Sequence, residues 1–523
     1  MQGKERVDRQ LLDAQALVGH LVPAGSMFAF LAGHRGELFA DEDFADLFPS
    51  GRGRPSVPAS VMASVMVLQA LHDYSDAEAA EAARCDLRWK AACGFPLDHG
   101  GFDPSTLVYW RRRIAQSARP HRISGAVTTV IGQTGVLAGR RRRAVDSTIL
   151  ADAVATQDTI TQLIAAIRRV GRVVPGAAEL VAAVCTGHDY SSAGKPRIDW
   201  DDPAAKDALV SALVNDAKAL VAAVAGGELT EQAASAVGLL ALVAGQDVEP
   251  AEGSDGTDGR WRIARGVAQD RVISVHDPQA RHIRKSPESR RDGYRAHVVA
   301  CPETGIITAE QLTKAAGDDN SDAAAAARFL AGHVAAGGPE CQWYGDSAYG
   351  TGDLRAAVQE AGQEAVIKPG PLKPAVAGGF TIDDFTVNET AGTVTCPAGI
   401  TRPIGARRSV VFGVACRGCP LRDRCTTSKT GRTLNLHEHD ALLRAARRAW
   451  ATSPALREDY KKYRPNIERA IAQVASRGGR RLKLRYIGTD RNNAWLKTRT
   501  AALNLRNLIG RGLHRRNGAW AIA

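Results

Sequence analysis

Apolar positions recur at two different periods along this chain, and the changes of period divide it. Between residues 58 and 74, Val61, Val65, Leu68 and Leu71 fall at helical spacing. An Ala-rich helix is predicted over 76–84 and a shorter one over 87–93, with a weaker helical signal over 7–21. Asp103 followed by Pro104 is a capped start for a basic helix over 107–116. Further on, helices over 152–169, 177–186, 203–225 and 230–244 predict a helical insertion running from about 152 to 260. Its third helix carries an apolar stripe of Val214, Ala217, Val221 and Val224, and its acidic, Gly-rich end at 247–259 is expected to be flexible.

Elsewhere the period drops to two. Short apolar runs at 143–150, 272–275, 294–300, 306–312, 341–345 and 365–367 predict strands, and the turn from Pro302 to Gly305 makes one pair a hairpin. Helices over 321–333 and 354–361 lie between the later strands. The order of strand, insertion, hairpin, helix, strand, helix, strand predicts an α/β core with a mixed sheet flanked by helices. Residues 372–459 interrupt it with polar strands and a cysteine cluster, and a helix is expected over 440–451. The chain then closes with a helix from 463, a strand over 480–487 and an amphipathic helix over 493–509.

Charge sharpens this picture once it is located. The formal net charge is +12, yet residues 461–523 alone carry +14 and residues 108–143 carry +9, leaving −11 for the rest. Two concentrated basic stretches in an otherwise acidic chain are the footprint of a polyanion binder. Several short helices ending in one that bears Arg111, Arg112 and Arg113 suit a DNA-binding module of helix-turn-helix type within residues 1–125. The N-terminus runs into no apolar stretch of a secretory signal, and the most apolar window, at 233–245, is too short to span a bilayer. A cytoplasmic, nucleoid-associated protein with no membrane segment is expected.

Three acids stand out by position. Asp146 lies in the strand at 143–150, Asp346 ends the run Trp343-Tyr344-Gly345, and Glu468 is the lone acid of a basic C-terminal helix. Phosphodiester cleavage needs charge neutralised on both the attacking and the leaving oxygen, which two hard divalent ions held by carboxylates supply. Asp146 as the bridge, with Asp346 on one ion and Glu468 on the other, would make such a site. Lys461, Arg464 and Arg477 are candidates for phosphate contact, although Arg464 and Glu468 at i,i+4 also fit a plain surface ion pair. Cys396, Cys416, Cys419 and Cys425 fall within thirty residues, and their Cys-x2-Cys core suits structural zinc. His276, His282 and His297 have no paired metal-ligand spacing and are expected to be structural.

Four segments carry a family resemblance: Val145-Asp146-Ser147-Thr148, Gly293-Tyr294-Arg295-Ala296-His297, Gly345-Asp346-Ser347-Ala348-Tyr349-Gly350 and Arg464-x3-Glu468. They resemble the core motifs of bacterial insertion-sequence transposases of the DDE class. The cysteine segment is similar to an insertion in one branch of that family, and residues 50–115 to its N-terminal helical domain. The resemblance implies a ribonuclease-H-like catalytic core over 140–370 and 460–512, interrupted by a cysteine-rich zinc module over 372–459. It implies Mg²⁺ or Mn²⁺, two ions, at Asp146, Asp346 and Glu468. The implied partner is double-stranded DNA, both the terminal inverted repeats of the element and a target, bound by a homodimer or larger assembly. Cleavage at the element end would free a 3′-OH that then attacks target DNA. The motif departs from many relatives at Lys461 and Ala475, where a Tyr and a Lys are usual; Tyr460, Tyr463 and Arg477 lie close by. The competing readings are a nuclease without strand transfer and a catalytically silent DNA-binding protein derived from a mobile element.

Overall fold

The computed structural model describes residues 1–5, 12–192, 194–268, 270–284 and 290–523. Its alternating segments form one sheet of six strands: β1 (Arg142–Ala151), β2 (Arg281–Arg284), β3 (Arg290–Ala300), β4 (Ile307–Lys314), β5 (Gln342–Gly345) and β6 (Glu364–Ile367). β3 runs antiparallel to β1 on one edge and to β2 and β4 on the other, whereas β5 and then β6 continue from β1 in parallel. The expected mixed α/β sheet is therefore present, and β3–β4 is the expected hairpin.

Alternation along the strands sorts the two faces. Val145, Val299, Trp343 and Ile367 face one way, against Leu330, Leu354 and Val358 from the helices Asp322–Ala335 and Gly352–Glu360. Ala144, Leu150, Val298 and Tyr344 join a larger core on the other face, closed by the helices α3 (Pro454–Ala475) and α4 (Thr489–Ile509) through Ile467, Val474, Leu496 and Leu505.

That core continues without a break into the N-terminal helices, of which α1 (Ala59–His72) and α2 (Ser105–Gln116) are the longest in residues 50–116. Every residue of α1 from Ala59 to Leu71 is buried, as happens when a helix apolar all round is enclosed on every side. One side of that enclosure is α4. Arg499 of α4, almost wholly buried, donates to the carbonyls of Gln473, Val474 and Ser476 at the end of α3 and to that of Ala70 in α1. The helices expected over 1–125 thus share their core with the sheet. Of the weak helix at 7–21, residues 6–11 lie outside the described residues and Ala14–Val18 is helical.

The insertion folds around a core of its own, with Leu163, Ile167, Leu213, Val214 and Leu240 at its centre. Its acidic end forms a small hairpin, Val248–Pro250 with Trp261–Ile263. The strand expected at 272–275 reduces to one bridge, Val272 to Arg281, because its side chains are shared between two cores: Val272 and Val275 enter the insertion and Ile273 the main core. The strand expected over 480–487 is likewise reduced to Arg480–Arg481 and a bridge from Lys483 to Ala151. Residues 372–459 build two small sheets around Phe385, Phe412, Leu434 and Leu436. Among the described residues no helix is long and apolar enough to cross a membrane.

Gly293 explains one of the sequence motifs. It sits where β3 is paired with both β1 and β2, at φ 145°, and a Cβ there would come 2.0 Å from the Leu150 carbonyl oxygen. Gly293→Ala is expected to destabilise the fold by about 2 kcal/mol or more, read as a lower urea midpoint at unchanged slope.

Candidate active site

The sheet register brings two of the three acids level. β1 and β5 pair in parallel with a constant offset of 200 residues, Arg142 with Gln342, Arg143 with Trp343 and Ala144 with Tyr344. Two residues further along each chain stand Asp146 and Asp346. Asp146 shares the face of Ala144, which is the face covered by α3. Its Oδ1 accepts the Ser147 N–H at 2.9 Å, and Asp346, just past the end of β5, caps the following turn through the Ala348 N–H at 2.8 Å.

Helix α3 supplies the third acid and a cation. Ile467, Ala470 and Val474 turn toward the sheet and Arg464 turns with them, so that a guanidinium enters the apolar face. Arg464 Nη2 lies 3.0 Å from Asp146 Oδ2 and 3.8 Å from Asp346 Oδ2, while Nη1 lies 3.7 Å from Glu468 Oε1. One positive group therefore stands among all three carboxylates. The helix is fixed in place by Arg142, which bonds Glu303 at 2.9 Å and stacks on Tyr463, by Tyr344 bonded to Asp459, and by Asn466 on the Pro302 carbonyl.

The acids differ in exposure. The Arg464 side chain is 7% exposed and Asp146 17%, but Asp346 is 46% and Glu468 68% exposed. Burial raises the Asp146 pKa and Asp346 adds to it, against the opposing pull of Arg464 and the Ser147 N–H. Burial alone would loosen the proton on Arg464, yet Asp146, Tyr460 and Asp346 outweigh it and hold the guanidinium more firmly charged than usual. The Nε and Nη1 atoms of Arg464 are buried without a hydrogen-bond partner among the described residues. The group is held there by charge rather than by a complete hydrogen-bonded cage.

Residues that sequence reasoning did not assign to the site line it from behind. Tyr349 is fully buried with its hydroxyl unpartnered, and burial, then Asp322, Asp146 and Asp346, keep that hydroxyl protonated. Tyr460 responds to Arg464 and all three acids. Asp322, next to the Ser321 cap of its helix, meets Arg295 at 3.3 Å and His297 at 3.6 Å. His297 is opposite Ser147, buried, bonded to Thr313, and pushed down by burial to about 3, so its ring is neutral. Tyr349, Arg295 and His297 lay inside recognisable motifs; nothing in the local sequence marks Asp322 apart from a helix start.

Two family models match the chain. Residues 398–509 match the Transposase DDE domain, and residues 18–113 match the Transposase domain (DUF772). The two matches support an insertion-sequence transposase of the DDE class. The first match contains Glu468 and three of the clustered cysteines, and the second contains Arg111, Arg112 and Arg113. No match is found among curated proteins or among solved structures. A transposase domain makes the protein a nucleic-acid-modifying enzyme and DNA its partner.

In this transposase the expected DNA-contacting residues divide. Arg112 and Lys461 are exposed. Arg111 is taken up by Asp76 and Gln69 and lies over the Tyr486 ring, and Arg113 by the Leu47 carbonyl between Phe48 and Tyr109. Three successive helical positions point in three directions, so a run of arginines does not make one surface. Arg464 sits among the acids instead of facing outward, and Arg477 bonds His72 at 2.6 Å.

Neither expected metal site is drawn together as a cage: among the described residues no group of three or more His, Cys, Asp or Glu is set to hold an ion. The acids are spread around Arg464. Cys396, Cys416, Cys419 and Cys425 are free thiols lining one small cavity of about 20 Å³ together with Phe385 and Phe412. The Cys425 thiol is raised by burial, which Arg432 opposes and the other three cysteines reinforce.

Arg464→Met would leave Asp146 charged and largely buried with no counter-ion. The expected cost is about 3 kcal/mol, seen as a lower thermal midpoint in chelator. Asp346→Asn, at a half-exposed position, should move the midpoint far less.

Proposed function

We propose that this transposase binds the terminal inverted repeats of its own element and catalyses metal-dependent cleavage and strand transfer at Asp146, Asp346 and Glu468. The observation that carries the reading is that carboxylates from three remote segments surround a single guanidinium. The sheet order, with β2, β3 and β4 antiparallel on one side of β1 and two parallel strands on its far side, supports a ribonuclease-H-like core.

The residues fit the divalent ions that the family uses. The donors are all carboxylate oxygens, the set hard cations prefer. Arg464 already marks the spot as one that demands positive charge, and the exposure of Asp346 and Glu468 leaves both free to close on it. When bound, two such ions would lower the pKa of an attacking water and offset charge on the phosphate oxygens. The protein's own part is to hold Asp146 rigidly on a central strand, to bring Asp346 level with it, and to let Glu468 approach from the helix. Arg464 would give way from Asp146 when the ions bind. Tyr349, protonated at all ordinary pH, offers a buried donor behind the carboxylates.

The four cysteines are read as a structural zinc site. Soft thiolates at this spacing suit tetrahedral zinc, and they already line a common cavity. Elemental analysis of the purified protein is expected to give about one zinc per chain, lost in Cys419→Ser; a metal-free preparation that keeps its fold would exclude the zinc.

The reaction is tested with labelled element ends and Mg²⁺ on a gel. Strand-transfer product is expected, and Asp346→Asn should reduce cleavage by at least about 10³-fold while DNA retention persists. Nicking without joining would favour the nuclease reading, and retention without any cleavage the silent DNA-binding reading.

A further inference from the structure

A second basic feature lies on the same helix as Glu468. The last turn of α3 and the residues after it form one wall of a cleft of about 430 Å³, with Gln473 and Arg477 on that wall, Arg506 from α4 beside them, and His72 from α1 opposite. The cleft also receives the start of the helix Met27–Leu38, which Ser26 caps through the Ala29 N–H. Among the described residues no Asp or Glu lines it.

Its cations lack anionic partners. Arg477 bonds the His72 ring and stacks on Tyr74, and Arg506 bonds the Gln473 side-chain amide at 3.2 Å; all three partners are neutral. Among the described residues neither arginine forms an ion pair, whereas the acids nearby are engaged elsewhere: Asp86 with Arg88, and Asp73 with Arg485. Arg499 at the back of the cleft is spent on backbone carbonyls. His72 Nε2 is buried with no partner among the described residues. Burial first, then Arg477 and Arg88, push His72 down to about 4; Asp86 opposes them and Arg506 adds to the lowering. The cleft thus concentrates positive potential that its own walls do not offset, and a helix N-terminus adds to it.

We infer that this cleft is a phosphate-binding site, shared between the N-terminal helices and the catalytic core, that grips the backbone of the DNA strand beside the reacting phosphate. The inference rests on the transposase reading above. Gln473 is five residues beyond Glu468, about 7.5 Å along the helix axis, so the cleft would meet a phosphate close to the one at the carboxylates. It would tie the position of the N-terminal helices to correct seating of the strand.

The test uses the full-length chain. Adding inorganic phosphate at constant ionic strength, against chloride, should raise the thermal midpoint of the wild type by about 1 °C. That rise should vanish in Arg477→Gln/Arg506→Gln and survive in Arg506→Lys. Circular dichroism in chloride checks that each variant is folded, and Arg506→Gln alone, at an exposed position, serves if the double variant is not. Binding of a random-sequence duplex should then show a salt slope reduced by about 0.9 for each arginine lost. No phosphate effect in the wild type, or one that persists in the double variant, overturns the site. A phosphate effect that depends on the arginines together with an unchanged salt slope would assign the cleft to a free phosphate compound and overturn the DNA assignment. Failure of the wild type to bind any duplex would instead sink the transposase reading, while the phosphate arm still decides the cleft.

Discussion

A carboxylate stays charged on a covered sheet face only beside a cation, and for Asp146 that cation is Arg464. The pair sets much of what surrounds it. Because the guanidinium must reach the sheet, α3 lies against the face of Ala144 and Tyr344, and Glu468, one turn on, is delivered to the rim beside Asp346. Because burial of two opposite charges roughly cancels its own Coulombic gain, the pair contributes little net stability compared with an apolar contact of the same size. A protein that keeps such an arrangement in the middle of its sheet gains little stability from it, and the proposed ion site gives a reason for keeping it.

The same helix links the acids to the rest of the molecule. Arg499 of α4 gathers the carbonyls at the end of α3 and reaches α1, so the face that carries the acids and the N-terminal helices share one core. A helix such as α1, apolar on every side, leaves no other arrangement. The cleft proposed to bind phosphate lies along that seam. The insertion and the cysteine-rich segment, each with its own core, could enter the chain without disturbing it.

Much of this was legible in the chain. The two aspartates announced themselves as lone acids at or within short apolar runs, and the change from helical to alternating period located the sheet and its hairpin. What the chain alone could not show was the offset that sets Asp146 level with Asp346, since register is fixed by pairing across nearly 200 residues. Arg464 was read as a phosphate contact because a charged side chain on a helix is ordinarily a solvated one, yet it shares a face with Ile467 and Val474. The arginine run at Arg111 to Arg113 misled for the converse reason: its charge suggested one exposed surface, while helical rotation leaves two of the three half-buried against Asp76, Tyr486, Phe48 and Tyr109. Asp322 and the cleft at Arg477 and Arg506 depend on contacts between distant segments and leave no local pattern.

The central claim is that Asp146, Asp346 and Glu468 form one site for divalent ions once Arg464 yields its place. Counting Mn²⁺ bound to the DNA complex by electron paramagnetic resonance addresses it directly. The wild type is expected to bind two ions more than a triple variant carrying Asp146→Asn, Asp346→Asn and Glu468→Gln, with each single substitution already lowering the number or the affinity. Equal Mn²⁺ binding by wild type and triple variant would contradict it.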